Sequence, residues 1–404
     1  MDCIKDFLDD SYQAKLRKFA QGLSERHEDT IDSYRKLFKT HYNYVKYENE
    51  KCKECSLLKS CKQIRNKISD IEEKDIEEKD IEDFFNCVKE IYLKWINSNP
   101  VDAINAFEDL LNKHNLLGYE KELSKEQIYF KARNSDKVLT RWDMFHIPFN
   151  KRYLIGNQRY SLTGQPMLYI GSSVIDVATE IDVKDINNLK VSVVRLPDNN
   201  FKLYDLRCSI LDVYTEISFN NMTESEKRTY TSSDFFKMIL ASVCSFQKKS
   251  ELKGYSFCEE YIIPQILALI LKNNNYNGIS YTSTKKYYEY IATKSDNYKE
   301  NIAIFTKLDS EHVYDRELYD KINLTVPVDI SKIDIITEDE IIDLLKEIEK
   351  LHSQEKITYS QKIYSSYKYI SDEVSVGGKE YSDTDYGKIH LYELYTVLNN
   401  ILVE

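Results

Sequence analysis

Glycine and proline are scarce in this chain of 404 residues, at ten and six, and their placement constrains the fold more than any other feature. Three glycines (Gly156, Gly164, Gly171) and two prolines (Pro148, Pro166) fall between residues 148 and 171. Glycine reaches backbone conformations closed to other residues, and proline fixes φ. A chain that otherwise avoids both concentrates its special backbone geometry in one place. Its remaining length is suited to regular helices and strands.

Residues 1–122 contain a single proline, Pro100. Apolar residues recur there at helical spacing, first Phe7, Tyr12, Leu16 and Phe19, then Phe84, Phe85, Val88, Ile91, Tyr92 and Trp95. That period predicts an all-helical N-terminal domain. NPVDAINAFEDLLNKHNLLG (99–118) reads as one helix, with Asn99 as N-cap, Pro100 in the first turn and Gly118 past the end. The DIEEK repeat between 70 and 85 has a period of five, which keeps no single apolar face, so it reads as a solvated charged helix or linker.

The texture changes after that. QIYFKA, MLYIG, KVSVVRL, FKLYDL, GISYTS and NIAIF are short β-rich runs, separated by helical segments near 173–182, 232–247 and 263–273. The alternation predicts an α+β domain over 123–310. Residues 311–404 read as a C-terminal helical appendage. Thr337 and Glu340 form a capping box ahead of IIDLLKEIEKL, and a second helix is expected over 389–402.

Charge weighs against one broad class of partner. With 67 acidic residues against 56 Lys plus Arg, the net charge is −11, which argues against a nucleic-acid backbone as the binding partner. The most apolar window, YIIPQILALIL (261–271), is too short to span a bilayer, and MDCIKDFLDD has no apolar run. A cytoplasmic protein with no membrane partner is expected. Its eight scattered cysteines fit reduced thiols better than a disulfide scaffold. KCKECSLLKSC offers Cys52, Cys55 and Cys61 as metal ligands, with His41 or Cys87 to complete a set. A second paired motif is missing, so free thiols are expected ahead of a structural zinc.

The chemistry-bearing residues gather around the glycines. QIYFKAR places Lys131 and Arg133 at the end of a strand. QRYSLTGQPMLYIGSSVIDVATE (158–180) then gives Arg159 before a turn, Tyr169 on a strand, Ser172 or Ser173 as an N-cap, and Glu180 two turns into a helix. Guanidinium groups match phosphate oxygens, and tyrosine offers a stacking face and a hydroxyl. Such a set suits an anionic ligand bearing a ring. No G-x-G-x-x-G follows a strand, so hydride transfer on a dinucleotide fold is not expected.

FHIPFNKRYLIGNQRYSLTGQPMLYIGSSVIDVATE (145–180), followed by VCSF (243–246), EYIIPQIL (260–267) and GISYTS (278–283), resembles the signature of RES-domain proteins. The resemblance covers roughly 126–306. It implies a fold similar to ADP-ribosyltransferases and an enzyme that degrades NAD at the nicotinamide–ribose bond, by phosphorolysis or hydrolysis. It implies Glu180 as the carboxylate facing the developing sugar cation. Arg133 and Arg159 would hold the pyrophosphate or an incoming inorganic phosphate, Tyr169 would orient the nicotinamide side, and Ser283 would bond ribose or phosphate. Lys131 and Arg133 share the claim to the strand cation, because many relatives carry Y-R-x-R where this chain has Tyr129 to Arg133. NAD is then a substrate and no cofactor is expected.

The biological role that the resemblance implies is a toxin or anti-phage effector. An antitoxin, another regulatory partner or a homo-oligomer would hold it in check. ADP-ribosyl transfer to a macromolecule is the alternative enzymatic outcome. RKLFKTH (35–41) fits the Arg-x5-His motif of HEPN helical domains, giving Arg35 and His41 as candidates for RNA cleavage. Six positions do not stack on one helix face, so an accessory role is expected of this region before a nuclease role.

Overall fold

The computed structural model of the chain describes residues 7, 10–45, 76–121, 123, 127–183, 186–197, 200–207, 231–249, 257–284, 300–332, 336–373, 375–376, 379–381 and 384–403. The helices in chain order are α1 (Asp10–Gly22), α2 (His27–Val45), α3 (Glu78–Ile96), α4 (Pro100–Lys113), α5 (Arg141–Met144), α6 (Val174–Glu180), α7 (Ser232–Val243), α8 (Ile262–Asn273), α9 (Arg316–Lys321), α10 (Glu338–Leu351), α11 (Gln354–Glu373) and α12 (Asp385–Val403). The strands used below are β1 (Glu120–Lys121), β2 (Tyr129–Asn134), β3 (Met167–Gly171), β4 (Leu189–Arg195), β5 (Leu203–Asp205), β6 (Gly278–Thr282), β7 (Glu300–Phe305), β8 (Asn323–Leu324) and β9 (Val328–Asp329). The chain is α+β, with a helical N-terminal region. Each β-rich run of the sequence supplies one of these strands.

Two compact units form, and neither is a continuous segment. Unit 1 comprises Met1–Glu120, Gly156–Thr163 and Tyr204–Thr284; unit 2 comprises Lys121–Ile155, Gly164–Leu203 and Lys285–Glu404. The sequence divides the chain at about 122 and 310, whereas the units interleave. Pairing between distant segments decides a unit, and no local composition shift records it.

Unit 1 is helical at its centre. The first helices bury one face each, with Leu16, Tyr34, Phe38, Phe84, Phe85 and Val88 all nearly inaccessible. Phe19, expected on the same stripe, is instead 59% exposed. Helices α7 and α8 complete the core. Phe235 packs against Phe38 and Tyr42, Phe236 stacks on Phe84, and Phe246 sits edge-on to Tyr34 and His27. Each such aromatic pair adds about 0.5–1.5 kcal/mol beyond burial. In the same unit the chain after β5 runs beside β6, where Leu206 N–H donates to Ser280 O.

Unit 2 is built on an antiparallel sheet in the order β7-β3-β2-β4-β8, with β9 also on β4. Its two faces carry separate cores. Tyr129, Leu168, Ile170, Val194, Ile302 and Ile304 cluster on one face. Phe130, Ala132 and Val191 meet α6 on the other, with Ile389 and Tyr392 of α12. Residues 311–404, which the sequence sets apart as an appendage, lie within this unit and supply part of its core. Helix α10 begins as its capping box predicts, with Thr337 accepting from Glu340 N–H and Glu340 accepting from Thr337 N–H. Removing such a cap costs about 1 kcal/mol.

Candidate functional site

The cluster of glycines marks where the chain leaves unit 2 and comes back. Gly156 opens the excursion 156–163 into unit 1, and Gly164 begins the return. Gly164 adopts φ +82°, a conformation that costs most other residues energy, and its N–H donates to Ile155 O across the base of the excursion. Gly171 serves a different purpose. A Cβ there would lie 2.8 Å from Val177 Cγ1 and 2.9 Å from Asn301 Oδ1, so glycine is what lets α6 and β7 approach the end of β3.

The sheet forks at this point. β2 and β3 pair at a single position, Phe130 with Gly171. Beyond it, Lys131 to Asn134 pair with β4 and Met167 to Ile170 pair with β7. Two lips therefore diverge from a common root, with Lys131 and Arg133 on one and Tyr169 on the other.

Lys131 and Arg133 alternate with Phe130 and Ala132, so both project from the sheet face that carries Tyr129. Each is half-buried, and neither makes a hydrogen bond or ion pair with a described residue. Burial, followed by the charge of Arg133, pushes the Lys131 amine down to about 7. Burial also lowers Arg133, against the attraction of Asp143 and Tyr314. The Asp143 carboxylate is itself spent on capping α5, accepting from Thr140 N–H at 2.8 Å and from Thr140 Oγ1 at 2.6 Å. Beside Lys131 in the register stands Ser192, fully buried, whose Oγ has no partner among the described residues.

Tyr169 alternates with Leu168 and Ile170 and so takes the opposite face, the one covered by α6. Glu180 ends α6, half-buried, with Asn301 Nδ2 at 3.5 Å from its Oε2. Asn301 is 2% exposed and pairs with Gly171. The sequence points to Arg133 or Lys131, Arg159, Tyr169 and Glu180 as one converging group, of which Arg159 falls in unit 1 and the others in unit 2. The register divides these others instead, two cations on one face and the tyrosine and carboxylate on the other, on either side of the fork.

Arg159 and Ser283 belong to unit 1. Arg159 Nη1 donates to Cys244 O and Phe246 O, and Nη2 to Thr284 Oγ1, all at 2.8 Å, while its guanidinium lies 4.9 Å from the Tyr261 ring centroid. It ties the segment after α7 to the end of β6. Ser283 directly follows β6. Gln265 fastens the excursion by donating to Gln158 O and Ser161 O.

The other candidates have structural partners or lie elsewhere. Arg35 is paired with Asp32 at 3.3 Å, Glu82 at 3.5 Å and Asn86 Oδ1 at 2.5 Å, while His41 bonds Tyr12. Cys52, Cys55 and Cys61 lie outside the described residues. Cys87, Cys244 and Cys258 are free thiols, and no group of three His, Cys, Asp or Glu among the described residues is arranged to hold a metal. Also among the described residues, no helix is long and apolar enough to cross a membrane.

Asn301 and Glu393 flank α6 and Asp176 lies in its first turn, and none of the three was legible as a site residue. Asp176 is fully buried and Glu393 is 4% exposed. Glu393 did leave one signal. It is the single carboxylate between Asp385 and Glu404, set in the apolar run LYELYTVL.

Over 189 residues the chain is 34% identical to a Bacillus subtilis (strain 168) protein named "Putative toxin YopC". The match takes in 45% of this chain and 42% of that protein, so it spans less than half the length of either. No family model matches the chain. No solved structure matches it.

Proposed function

We propose that this protein is a toxin-like enzyme that destroys NAD by cleaving the bond between nicotinamide and ribose. The observation that carries the reading is the fork, where two desolvated cations without a bonded carboxylate stand on one lip and Tyr169 leads through Gly171 to the Glu180 helix on the other. Because the cations and Glu180 take opposite faces of the sheet, the reading requires a dinucleotide that passes between the lips. Buried cations are costly unless something anionic joins them. A pyrophosphate meets that need, and the guanidinium of Arg133 fits its oxygens in a fork geometry.

Breaking the nicotinamide–ribose bond leaves its electron pair on the pyridine nitrogen, and nicotinamide departs neutral. The sugar carbon becomes electron-deficient, as in glycoside hydrolysis. The Glu180 carboxylate opposes that charge only as it develops, and this selectivity is what accelerates a reaction. The Asn301 amide restrains its direction. Phosphate or water then bonds the sugar carbon, giving ADP-ribose-1″-phosphate or ADP-ribose with release of a proton. The likeness to a protein named as a toxin supports the biological side and suggests a restraining partner.

The test is to incubate the purified protein with NAD, with and without inorganic phosphate, and to weigh the products. Loss of NAD with appearance of either product is expected. Glu180→Gln should slow it by about 10²–10³-fold, the range for removing one transition-state electrostatic partner. Unchanged NAD, or full turnover by Glu180→Gln, refutes the reading. Label transferred from NAD to a macromolecule would move the same residues to ADP-ribosyl transfer.

A further inference from the structure

Helix α6 has seven residues, far below the about 12–15 at which an isolated helix begins to hold together. What grips it therefore decides where Glu180 points. Its first-turn N–H groups have no partners within the helix. Ser173 Oγ accepts from Asp176 N–H at 2.9 Å. Val174 N–H donates to Glu393 Oε2 at 2.7 Å, and the Ile175 N–H bonds the same carboxyl. Glu393 is carried by α12, flanked by the buried residues Tyr392 and Leu394. The C-terminal helix thus reaches the start of the candidate catalytic helix with one buried side chain, and its neighbours Ile389 and Tyr392 pack on the same helix.

We propose that Glu393 is a positioning residue that fixes the Glu180 helix by accepting its first-turn amides, so that the C-terminal helix governs the geometry of the candidate active site. The proposal rests on the reading of Glu180 given above. Two further observations support it. Gly171 permits the close seat of α6, and Asp176 adds a second buried carboxyl at the same helix end. The Asp176 Oδ2 accepts from Ser172 Oγ at 3.3 Å, while Oδ1 has no hydrogen-bond partner among the described residues. Burial and the neighbouring Glu393 raise Asp176 well above the carboxylate range, and burial pushes Glu393 up to about 8 in spite of its two N–H donors. Two buried acids with no bonded cation are an expensive way to fill a core, so their presence together at this helix end points to a use beyond packing.

Three variants test this. Glu393→Gln keeps a carbonyl acceptor of the same reach. Glu393→Asp withdraws the acceptor by one methylene, and Glu393→Leu removes it while filling the space. Expected are NAD turnover within about threefold of wild type for Glu393→Gln, and a kcat lower by about tenfold or more with KM within about twofold for the other two. Amide exchange at Val174 and Ile175 should quicken in Glu393→Asp and Glu393→Leu and stay slow in Glu393→Gln. Wild-type turnover in Glu393→Asp, or unchanged exchange at both amides, overturns the proposal. So does a Glu393→Gln protein as impaired as Glu393→Asp. If the wild type leaves NAD intact, the reading of Glu180 fails, and exchange at the two amides still decides whether Glu393 holds the helix.

Discussion

The helix pair α2–α3 and the forked strand β2 treat positive charge in opposite ways. On the helices the cations are matched. Lys39 bridges Glu78 and Glu82 at 2.8 Å each, Lys89 meets Asp32, and Arg35 joins Asp32, Glu82 and Asn86. On β2, Lys131 and Arg133 are desolvated with no carboxylate bonded to either among the described residues. Matched charge at a half-exposed helix contact adds little and breaks nothing when removed. Unmatched charge in a buried setting works against the fold, and a ligand is the natural occupant of the gap it leaves.

The sharpest way to break this contrast is with inorganic pyrophosphate. Wild-type protein should be stabilised by about 2.7 kcal/mol at a hundred times the dissociation constant, and the Lys131→Met, Arg133→Met double variant not at all, read as melting shifts. Without ligand, the same double variant should be at least as stable as wild type, because it removes two buried cations. Next in size, Gly171→Ala should cost about 1–3 kcal/mol in urea denaturation, since the added methyl meets Val177 and Asn301.

The pH dependence has a definite sign. Lys131 must be charged to attract an anion, and its amine is pushed down to about 7 in the unliganded protein. Affinity for pyrophosphate should fall by up to about tenfold per pH unit above that value and be level below it, and titration calorimetry across pH 6–9 would show this. Glu393 works the other way. Its folded value of about 8 lies above the ordinary glutamate range, so the folded state holds a proton that the unfolded chain has released. Its contribution to stability is fully present below the ordinary value and declines as pH rises to about 8, a slope that Glu393→Gln should flatten. The smallest effect belongs to the matched region, where Arg35→Met should cost no more than about 1 kcal/mol.

Local signals were legible in the sequence and distant ones were not. The Thr337 capping box, the Pro100 start of α4, the Ser173 cap of α6 and every β-run appear where side-chain type and spacing put them, because each depends on neighbours a few residues away. The face on which Lys131 stands relative to Tyr169 depends on strand register, set by a single pairing of Phe130 with Gly171. The employment of Arg159 depends on backbone carbonyls of residues 244 and 246, to which any sequence would contribute. Glu393 acts on Val174, 219 positions away. The candidate carboxylate Glu180 could be picked out from its motif, whereas the contacts that Asn301 makes with it and Glu393 makes with its helix are set by the tertiary structure.

The interleaving of the two units also bears on how the protein comes into being. The chain passes from one unit to the other after residues 120, 155, 163, 203 and 284. On a ribosome, the early helices emerge long before α7, whose Phe235 and Phe236 pack on their core, and unit 2 lacks α12 until residues 385–403 are made. Long-range closure of this kind is slow, and it keeps apolar surface uncovered during synthesis. One consequence is specific to α6: a copy still lacking α12 would hold this helix without the Glu393 carboxyl that accepts from Val174 N–H.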